Sequence, residues 1–283
     1  MKVISDLREM QSWSSGIKRS GKRIGFVPTM GYLHRGHLSL VERSKNDNDY
    51  TVASIYVNPA QFGANEDFGK YPRDLGRDKE LLIAAGCDVL FTPEDRSIYP
   101  SGYQTYVNAE QITKTLEGEF RPGHFRGVTT IVNILFNLVQ PDSAYFGQKD
   151  AQQCAVIKAM ADDLKIPVRI IVMPIVREED GLAMSSRNKY LGASERSDAL
   201  VLFRSLALAE TLIKQGERDA KLLEEVIMSQ LKKVKTASPD YVRIVNSRTF
   251  EEAEILKWGS EYFILIACRI GATRLIDNLL IRV

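Results

Sequence analysis

Cysteine is scarce in this chain, and so is any surplus of charge. The three cysteines, Cys87, Cys154 and Cys268, are odd in number and far apart, which excludes a disulfide framework and a zinc ribbon. They read as reduced, buried thiols. Lys plus Arg number 38 against 36 Asp plus Glu, so no bulk positive charge exists to neutralise a run of nucleic-acid phosphates. A nucleic-acid partner is therefore not expected, while a small anion in a local basic pocket stays open. Long apolar runs are missing as well. No window holds the roughly 18 uncharged apolar residues of a membrane span, and the N-terminal stretch turns polar after Ile4 without the apolar segment of a secretion signal. These absences predict no membrane partner and a cytoplasmic location.

What is present suits a folded enzyme-sized chain: hydrophobic residues are 44% and charged residues 26% of 283, far from disordered compositions. Short apolar runs at residues 24–29, 51–57, 88–91, 143–146 and 168–172 alternate with amphipathic stretches at 37–44, 74–85, 128–139 and 151–164. Repeated β–α units of that kind predict an α/β fold with a Rossmann-like parallel sheet flanked by helices. Residues 58–71 and 93–127 lack periodicity, and long loops of that sort border ligand clefts more often than they lie idle. After Val176 the texture changes. A polar segment, REEDGLAMSSRN, leads into helical patterns at 193–214 and 220–234 and then β-like runs at 241–245, 262–267 and 274–283. The expected organisation is residues 1–176 as a Rossmann-like domain and 177–283 as a smaller C-terminal α+β domain.

Chemistry concentrates in a few segments. In FVPTMGYLHRGHLSLVERS, a strand ends and a helix begins, with His34 and His37 on either side of Gly36. Free amides at such a turn form an anion site, and glycine admits a phosphate close to the backbone. Two imidazoles there can donate to phosphate oxygens as charge grows in a transition state. The bland alternative makes both histidines ordinary loop and helix-cap residues. A zinc site would need further nitrogen or sulfur ligands, and only His124 remains. The second segment is MSSRN, Met184 to Asn188, in the polar hinge, where Arg187 offers a permanent charge with forked donors suited to phosphate. Its alternative is a solvated linker. In the third, YFGQKDAQQ, Lys149 projects from a second strand–helix turn with Asp150 placed to cap the helix; taken alone, such a lysine is surface decoration. Arg121, His124 and Arg126 form a local donor cluster that faces either a substrate carboxylate or solvent.

The run His34-Arg35-Gly36-His37 resembles the His-x-Gly-His motif of the nucleotidyltransferases, and MSSRN looks like a partial counterpart of their mobile Lys-Met-Ser-Lys-Ser loop. Together with YVNPAQF, YPRD, FRPGHFRGV and YFGQKDAQQ, these segments resemble the pantothenate synthetase (pantoate–β-alanine ligase) family over nearly the whole chain. That resemblance implies a Rossmann-like ATP-binding domain with a lid-like second domain. It also implies ATP and Mg²⁺, the substrates (R)-pantoate and β-alanine, release of AMP and pyrophosphate, and a homodimer. By the same resemblance Met30, Gly31, Tyr32, Leu33, His34, Arg35, Gly36 and His37 line the ATP site, with His37 as proton donor and His34 as its phosphate-binding companion. Gly147, Gln148, Lys149 and Asp150 contact ATP, as do Val176, Met184, Ser185, Ser186 and Arg187. Gln61 and Gln153 bind pantoate, and Gln61 borders the β-alanine position; a neutral amide can serve both a carboxylate and a hydroxyl. His34, His37, Lys149 and Arg187 form the expected catalytic set. Magnesium on ATP needs few protein ligands, and Asp78, in the helix after YPRD, is the protein candidate, its alternative being a solvated helical position.

Two rivals share part of the pattern. Another transferase of the superfamily would keep the His-x-Gly-His turn without needing GQKDAQQ and NPAQF together, and a tRNA-charging enzyme would need an anticodon-binding extension. A non-catalytic nucleotide-binding regulator has no use for groups aimed at transition-state charge, which the chain retains at His34, His37, Lys149 and Arg187.

Overall fold

The computed structural model describes residues 1–64 and 66–283. Contacts divide the chain into two compact units, one of Met1–Gln148 with Gln152–Pro174 and the other of Lys149–Ala151 with Ile175–Val283.

The first unit is built on a fully parallel six-stranded sheet. Its strands are β1 (Lys2–Ile4), β2 (Ile24–Thr29), β3 (Tyr50–Ile55), β4 (Val89–Phe91), β5 (Ser143–Gly147) and β6 (Arg169–Met173), in the order β1-β4-β3-β2-β5-β6. The helices between them are α1 (Leu7–Arg19), α2 (Arg35–Asp47), α3 (Leu75–Ala84), the short α4 (Asp95–Ile98) and α5 (Glu117–Phe120), α6 (His124–Val139) and α7 (Ala151–Asp163). Side chains alternate along each strand. Ile24, Phe26, Val52, Val89, Phe91, Ala144 and Phe146 face one way and join a core with Met10, Val128, Leu135 and Ile157 from α1, α6 and α7. Val27, Ala53, Leu90 and Tyr145 face the other and meet Leu40, Val41 and Leu82 from α2 and α3. Burial on both faces explains why these strands read as continuous apolar runs.

The sheet reverses its winding at β2 and β5. These strands pair only through Gly25↔Ser143 and Phe26↔Ala144, whereas β2 stays paired with β3 as far as Thr29↔Ile55. Pro28 has no N–H to give, and it sits beyond the last β2–β5 pair, where none is asked of it. The carboxyl ends of β2 and β5 are thereby released from each other, and a crevice at such a switch point is where open α/β sheets bind ligands.

The second unit stacks helices on an antiparallel sheet. It contains α8 (Ala193–Asp198), α9 (Leu200–Lys214), α10 (Ala220–Lys232) and the strands β7 (Ala237–Asn246), β8 (Glu261–Ile270) and β9 (Thr273–Arg282), ordered β7-β8-β9. Leu206 and Ala209 of α9 and Leu223 and Ile227 of α10 pack on Ile264, Ile266 and Cys268 of β8. The three cysteines are reduced and buried. Among the described residues no helix is long and apolar enough to cross a membrane.

Several elements differ from expectation. The strand β1 and helix α1 are additional. Helix α6 starts at His124 instead of 128, and residues 93–127 hold α4 and α5. The helical pattern at 193–214 is two helices parted at Ala199, which caps both.

Candidate functional site

The loop leaving β2 is held by its own short hydrogen bonds. Thr29 Oγ1 donates to Ser54 O at 2.7 Å and accepts from Gly31 N at 3.1 Å. Gly31 (φ 83°) and Tyr32 (φ 51°) are consecutive left-handed residues, which presents successive amides along one side. Asp78 takes two of them: Tyr32 N donates to Oδ2 at 2.7 Å and Leu33 N to Oδ1 at 2.8 Å. Asp78 is 1% exposed, so the solvated alternative for it is excluded. Burial pushes its carboxyl up from the ordinary value, while the Leu33 and Tyr32 amides pull the other way. Arg77 completes the clamp, donating to Leu33 O at 2.9 Å and lying 5.3 Å from the Tyr32 ring centre.

Helix α2 then begins with a reciprocal histidine cap. His34 Nδ1 accepts from Gly36 N at 3.1 Å, and His37 Nδ1 accepts from His34 N at 3.3 Å, the reciprocal logic of a capping box with imidazoles in place of hydroxyl and carboxylate. The ring centres lie 4.0 Å apart. A backbone N–H only donates, so both Nδ1 atoms are acceptors and in each neutral ring the proton resides on Nε2. Both histidines are thus helix-cap residues, and the cap leaves Nε2 as the protonated nitrogen of each neutral ring.

Gln61 lies in the 3₁₀ turn Pro59–Gln61, 8% exposed, and its Nε2 donates to Met30 Sδ at 3.2 Å. The first unit thus brings Gln61 against the Met30–His37 loop. Asn58, which sequence reading did not single out, decides how Gln61 is oriented. Ala60 N donates to Asn58 Oδ1 at 3.3 Å, so Asn58 Nδ2 is the donor, reaching Gln61 Oε1 and Gly127 O, each at 3.1 Å. Tyr99 OH adds a bond to Asn58 Oδ1 at 2.9 Å. The Asn58-Pro59 pair was the available sequence signal, since asparagine before proline caps tight turns. Helix α6 packs so closely here that a Cβ on Gly127 would stand 2.3 Å from Ala60 O.

The donor cluster at residues 121–126 holds this turn from beneath. His124 Nδ1 bonds Gln61 O at 2.9 Å, so Nδ1 carries the proton and Nε2 accepts from Arg121 NH1 at 3.1 Å. Arg121 makes a two-pronged pair with Glu66 at 2.8 and 2.7 Å, with Glu117 at 3.9 Å, and Arg126 lies 3.7 Å from the Tyr106 ring centre. Burial, reinforced by the Arg121 charge, pushes His124 down to about 4. Gln153 is half-buried on the first turn of α7, and Gln148 and Gly147 close the end of β5. Neighbouring Gln152 has a structural role, bonding Glu117 N, Ile112 O and Thr115 O, each at 2.9 Å.

In the second unit, Lys149 is half-buried and its carbonyl accepts from Asn278 Nδ2 at 3.0 Å, while Asp150 is exposed. Val176 O accepts from Met184 N at 3.0 Å, and the bridge Arg177↔Ala183 closes a hairpin. Ser185 Oγ accepts from Arg187 N at 3.2 Å and caps the 3₁₀ helix Ser186–Tyr190. Asn188 anchors that turn by donating to Ala183 O and Glu178 Oε1 at 3.0 and 3.1 Å. The MSSRN backbone is therefore ordered by its own side chains. Among the described residues no group of three His, Cys, Asp or Glu side chains is arranged to hold a metal ion.

A parallel sheet with a switch-point loop, opening into a helix capped by a His-x-Gly-His turn, defines an α/β protein of the class that takes anionic ligands at a helix N-terminus. Residues 2–280 match the family Pantoate-beta-alanine ligase. A pantothenate synthetase from Acetivibrio thermocellus is 56% identical over 283 residues, covering 100% of both chains. The crystal structure of pantothenate synthetase from Thermus thermophilus superposes with a TM-score of 0.92 at 45% identity over 99% of each chain. A pantoate-β-alanine ligase from Francisella tularensis, solved with beta-gamma ATP and β-alanine, gives 0.80 at 34% identity, covering 99% of this chain and 97% of its own. The chain belongs to the pantoate–β-alanine ligase family.

Proposed function

We propose that this chain joins (R)-pantoate to β-alanine at the expense of ATP through the groups described above, with a pantoyl-adenylate as intermediate. The observation that supports the mechanism is the reciprocal cap, which leaves the proton of each neutral imidazole on Nε2 in the turn between β2 and α2. A pantoate carboxylate oxygen attacks the α-phosphorus in line with the departing pyrophosphate. The Nε2–H groups of His34 and His37 donate hydrogen bonds to the phosphate oxygens as charge develops on them, and neither proton is transferred. Lys149 and Arg187 supply fixed positive charge to the triphosphate. Met30–Leu33 and Arg35–Gly36, Gly147, Gln148, Asp150, Val176 and Met184–Ser186 complete the ATP contacts. Gln61, its Oε1 already engaged by Asn58, presents its Nε2–H to the pantoate carboxylate, with Gln153 as the second pantoate ligand. The β-alanine amine, in its neutral form, then attacks the acyl carbon beside Gln61, expels AMP and loses a proton to solvent as the amide forms.

Magnesium, arriving with ATP, supplies charge neutralisation on its phosphates. The protein offers no cage for it among the described residues. Asp78 could contribute only while its oxygens continue to hold the Tyr32 and Leu33 amides, and no step above is routed through the ion. Residues 1–176, apart from the 149–151 turn that groups with the C-terminal unit, act as the ATP- and pantoate-binding domain, and 177–283 as a lid-like domain. A cytoplasmic location and a homodimer complete the proposal. Light scattering tests the dimer, and a mass near 31.9 kDa at micromolar protein would exclude it.

The mechanism is tested by incubating the protein with ATP and pantoate labelled with heavy oxygen in its carboxylate. Pyrophosphate and bound pantoyl-adenylate should form without β-alanine, and one labelled oxygen should appear in AMP once the amine is added. Release of ADP and orthophosphate, or unlabelled AMP, would refute attack on the α-phosphorus.

A further inference from the structure

The last strand carries two adjacent buried polar side chains, Asp277 and Asn278, at 3% and 2% exposure. Each reaches a different segment. Asp277 binds the Arg177 guanidinium through both oxygens at 2.7 and 2.9 Å. Arg177 also donates to Gly181 O at 3.0 Å and lies 4.8 Å from the Phe203 ring centre. That fixes the 177–183 hairpin from which Met184–Arg187 emerges. Asn278 donates to the carbonyl of Lys149 at 3.0 Å, while its own N–H is held by Asp277 Oδ1 at 2.7 Å.

From this arrangement we infer that Asp277 and Asn278 are positioning residues, which set the Lys149 turn and the Met184–Arg187 segment in fixed register for one triphosphate. The inference rests on reading Lys149 and Arg187 as phosphate-binding groups. Its physical basis is that stability alone does not call for these side chains. A well-packed apolar pair at such positions avoids the desolvation of a buried ion pair and an amide, and is often as stable or more so. What the polar pair provides is direction: each bond specifies where one loop backbone lies. Lysine reaches its target on a flexible four-carbon stem, so anchoring the Lys149 carbonyl is the available means of limiting where the ammonium goes. Misplacing a catalytic group by about 1 Å can slow a reaction by on the order of 10²-fold.

The test is a double-mutant cycle on the separated half-reactions. Adenylate formation from ATP and pantoate is followed by rapid quench in the parent, N278A, K149A and the double variant. Amide formation from preformed pantoyl-adenylate and β-alanine is followed in parallel. N278A should slow the first half-reaction by roughly tenfold or more and leave the second within about threefold, since the second involves no triphosphate. In the K149A background the same change should have no effect, because the group it positions is gone. Amide hydrogen exchange should rise at residues 149–151 in N278A and at 184–187 in D277N. If N278A fails to fold, N278S is used in its place. Slowing that multiplies in the double variant, equal loss in both half-reactions, or N278A within twofold of the parent would overturn the inference. If K149A alone falls within a few-fold of the parent, it is the phosphate role of Lys149 that fails.

Discussion

His124 should make the fold acid-sensitive in a defined window. The folded protein keeps this imidazole neutral down to about pH 4, because it is buried and faces the Arg121 guanidinium. The hydrogen bond to Gln61 O and the Glu66 and Glu117 carboxylates act in the opposite direction without overcoming them. Its two nitrogens are already committed, Nδ1–H to Gln61 O and Nε2 to Arg121 NH1, so a second proton would meet a donor and not an acceptor. In the unfolded chain the ordinary value of 6.5 applies. Between those limits the unfolded state binds more protons, so stability is fully present above pH 6.5 and is lost as pH falls toward 4. At about 1.4 kcal/mol per pH unit, the interval amounts to about 3 kcal/mol. His124→Asn places an amide N–H near the Nδ1 position and does not titrate. Urea unfolding of parent and H124N, measured from pH 7.5 to 4, should give a stability difference that shrinks by about 3 kcal/mol across the window. Carboxylates titrating in the same range cancel in that difference. A difference that stays flat with pH, or an imidazole titrating near 6.5 by NMR in the folded protein, would refute the reasoning.

Gly127→Ala would put a methyl group 2.3 Å from Ala60 O and 2.6 Å from Gln61 N, forcing helix and turn apart. We expect a loss of about 1–3 kcal/mol by thermal unfolding and a raised KM for pantoate. Gly16→Ala, which meets nothing within 4 Å in helix α1, should instead stabilise by about 0.5–1 kcal/mol. Asp78→Asn turns an NH₂ toward one of the two amides it now accepts, and should cost about 1–3 kcal/mol together with slower adenylate formation at every magnesium concentration. Full recovery of the rate at raised magnesium would make Asp78 a metal ligand and not the clamp of the loop.

The sheet was readable in β2, β3, β4 and β5, which are largely buried and appear as short apolar runs, and in β6, an exposed to half-buried edge strand whose residues are still mostly apolar. Strand β1 was not: it spans Lys2–Ile4 at the sheet edge, with Val3 44% exposed, and has too few residues to show a period. Helix α1 did carry its signal, an Asp6 cap with Glu9 in the first turn, ahead of the apolar positions Leu7, Met10, Trp13 and Ile17. The break at Ala199 had none, since no glycine or proline marks it. Within the site, the strand-to-helix turn and its histidines followed from local spacing. Their tautomers did not, because these depend on which backbone amide meets Nδ1. Asn58 escaped for a related reason: its partners Gly127 and Tyr99 lie 69 and 41 residues away, and no local pattern announces a bond across that separation. Gln61 was visible only through the family resemblance.

The bond from Asn278 to Lys149 joins positions 129 residues apart, and Lys149–Ala151 group with the C-terminal unit although the chain on either side of them groups with the first. The boundary between units is therefore not a single cut in the sequence. A chimera that exchanges everything after Pro174 between two members of the family would import a foreign β9 while retaining the native 149–151 turn, and would separate a donor from the carbonyl it was shaped to meet. Functional recombinants should have to carry residues 149–151 and the C-terminal strand from the same parent, so inheritance in this fold follows hydrogen-bonded pairs more closely than it follows the linear order of domains.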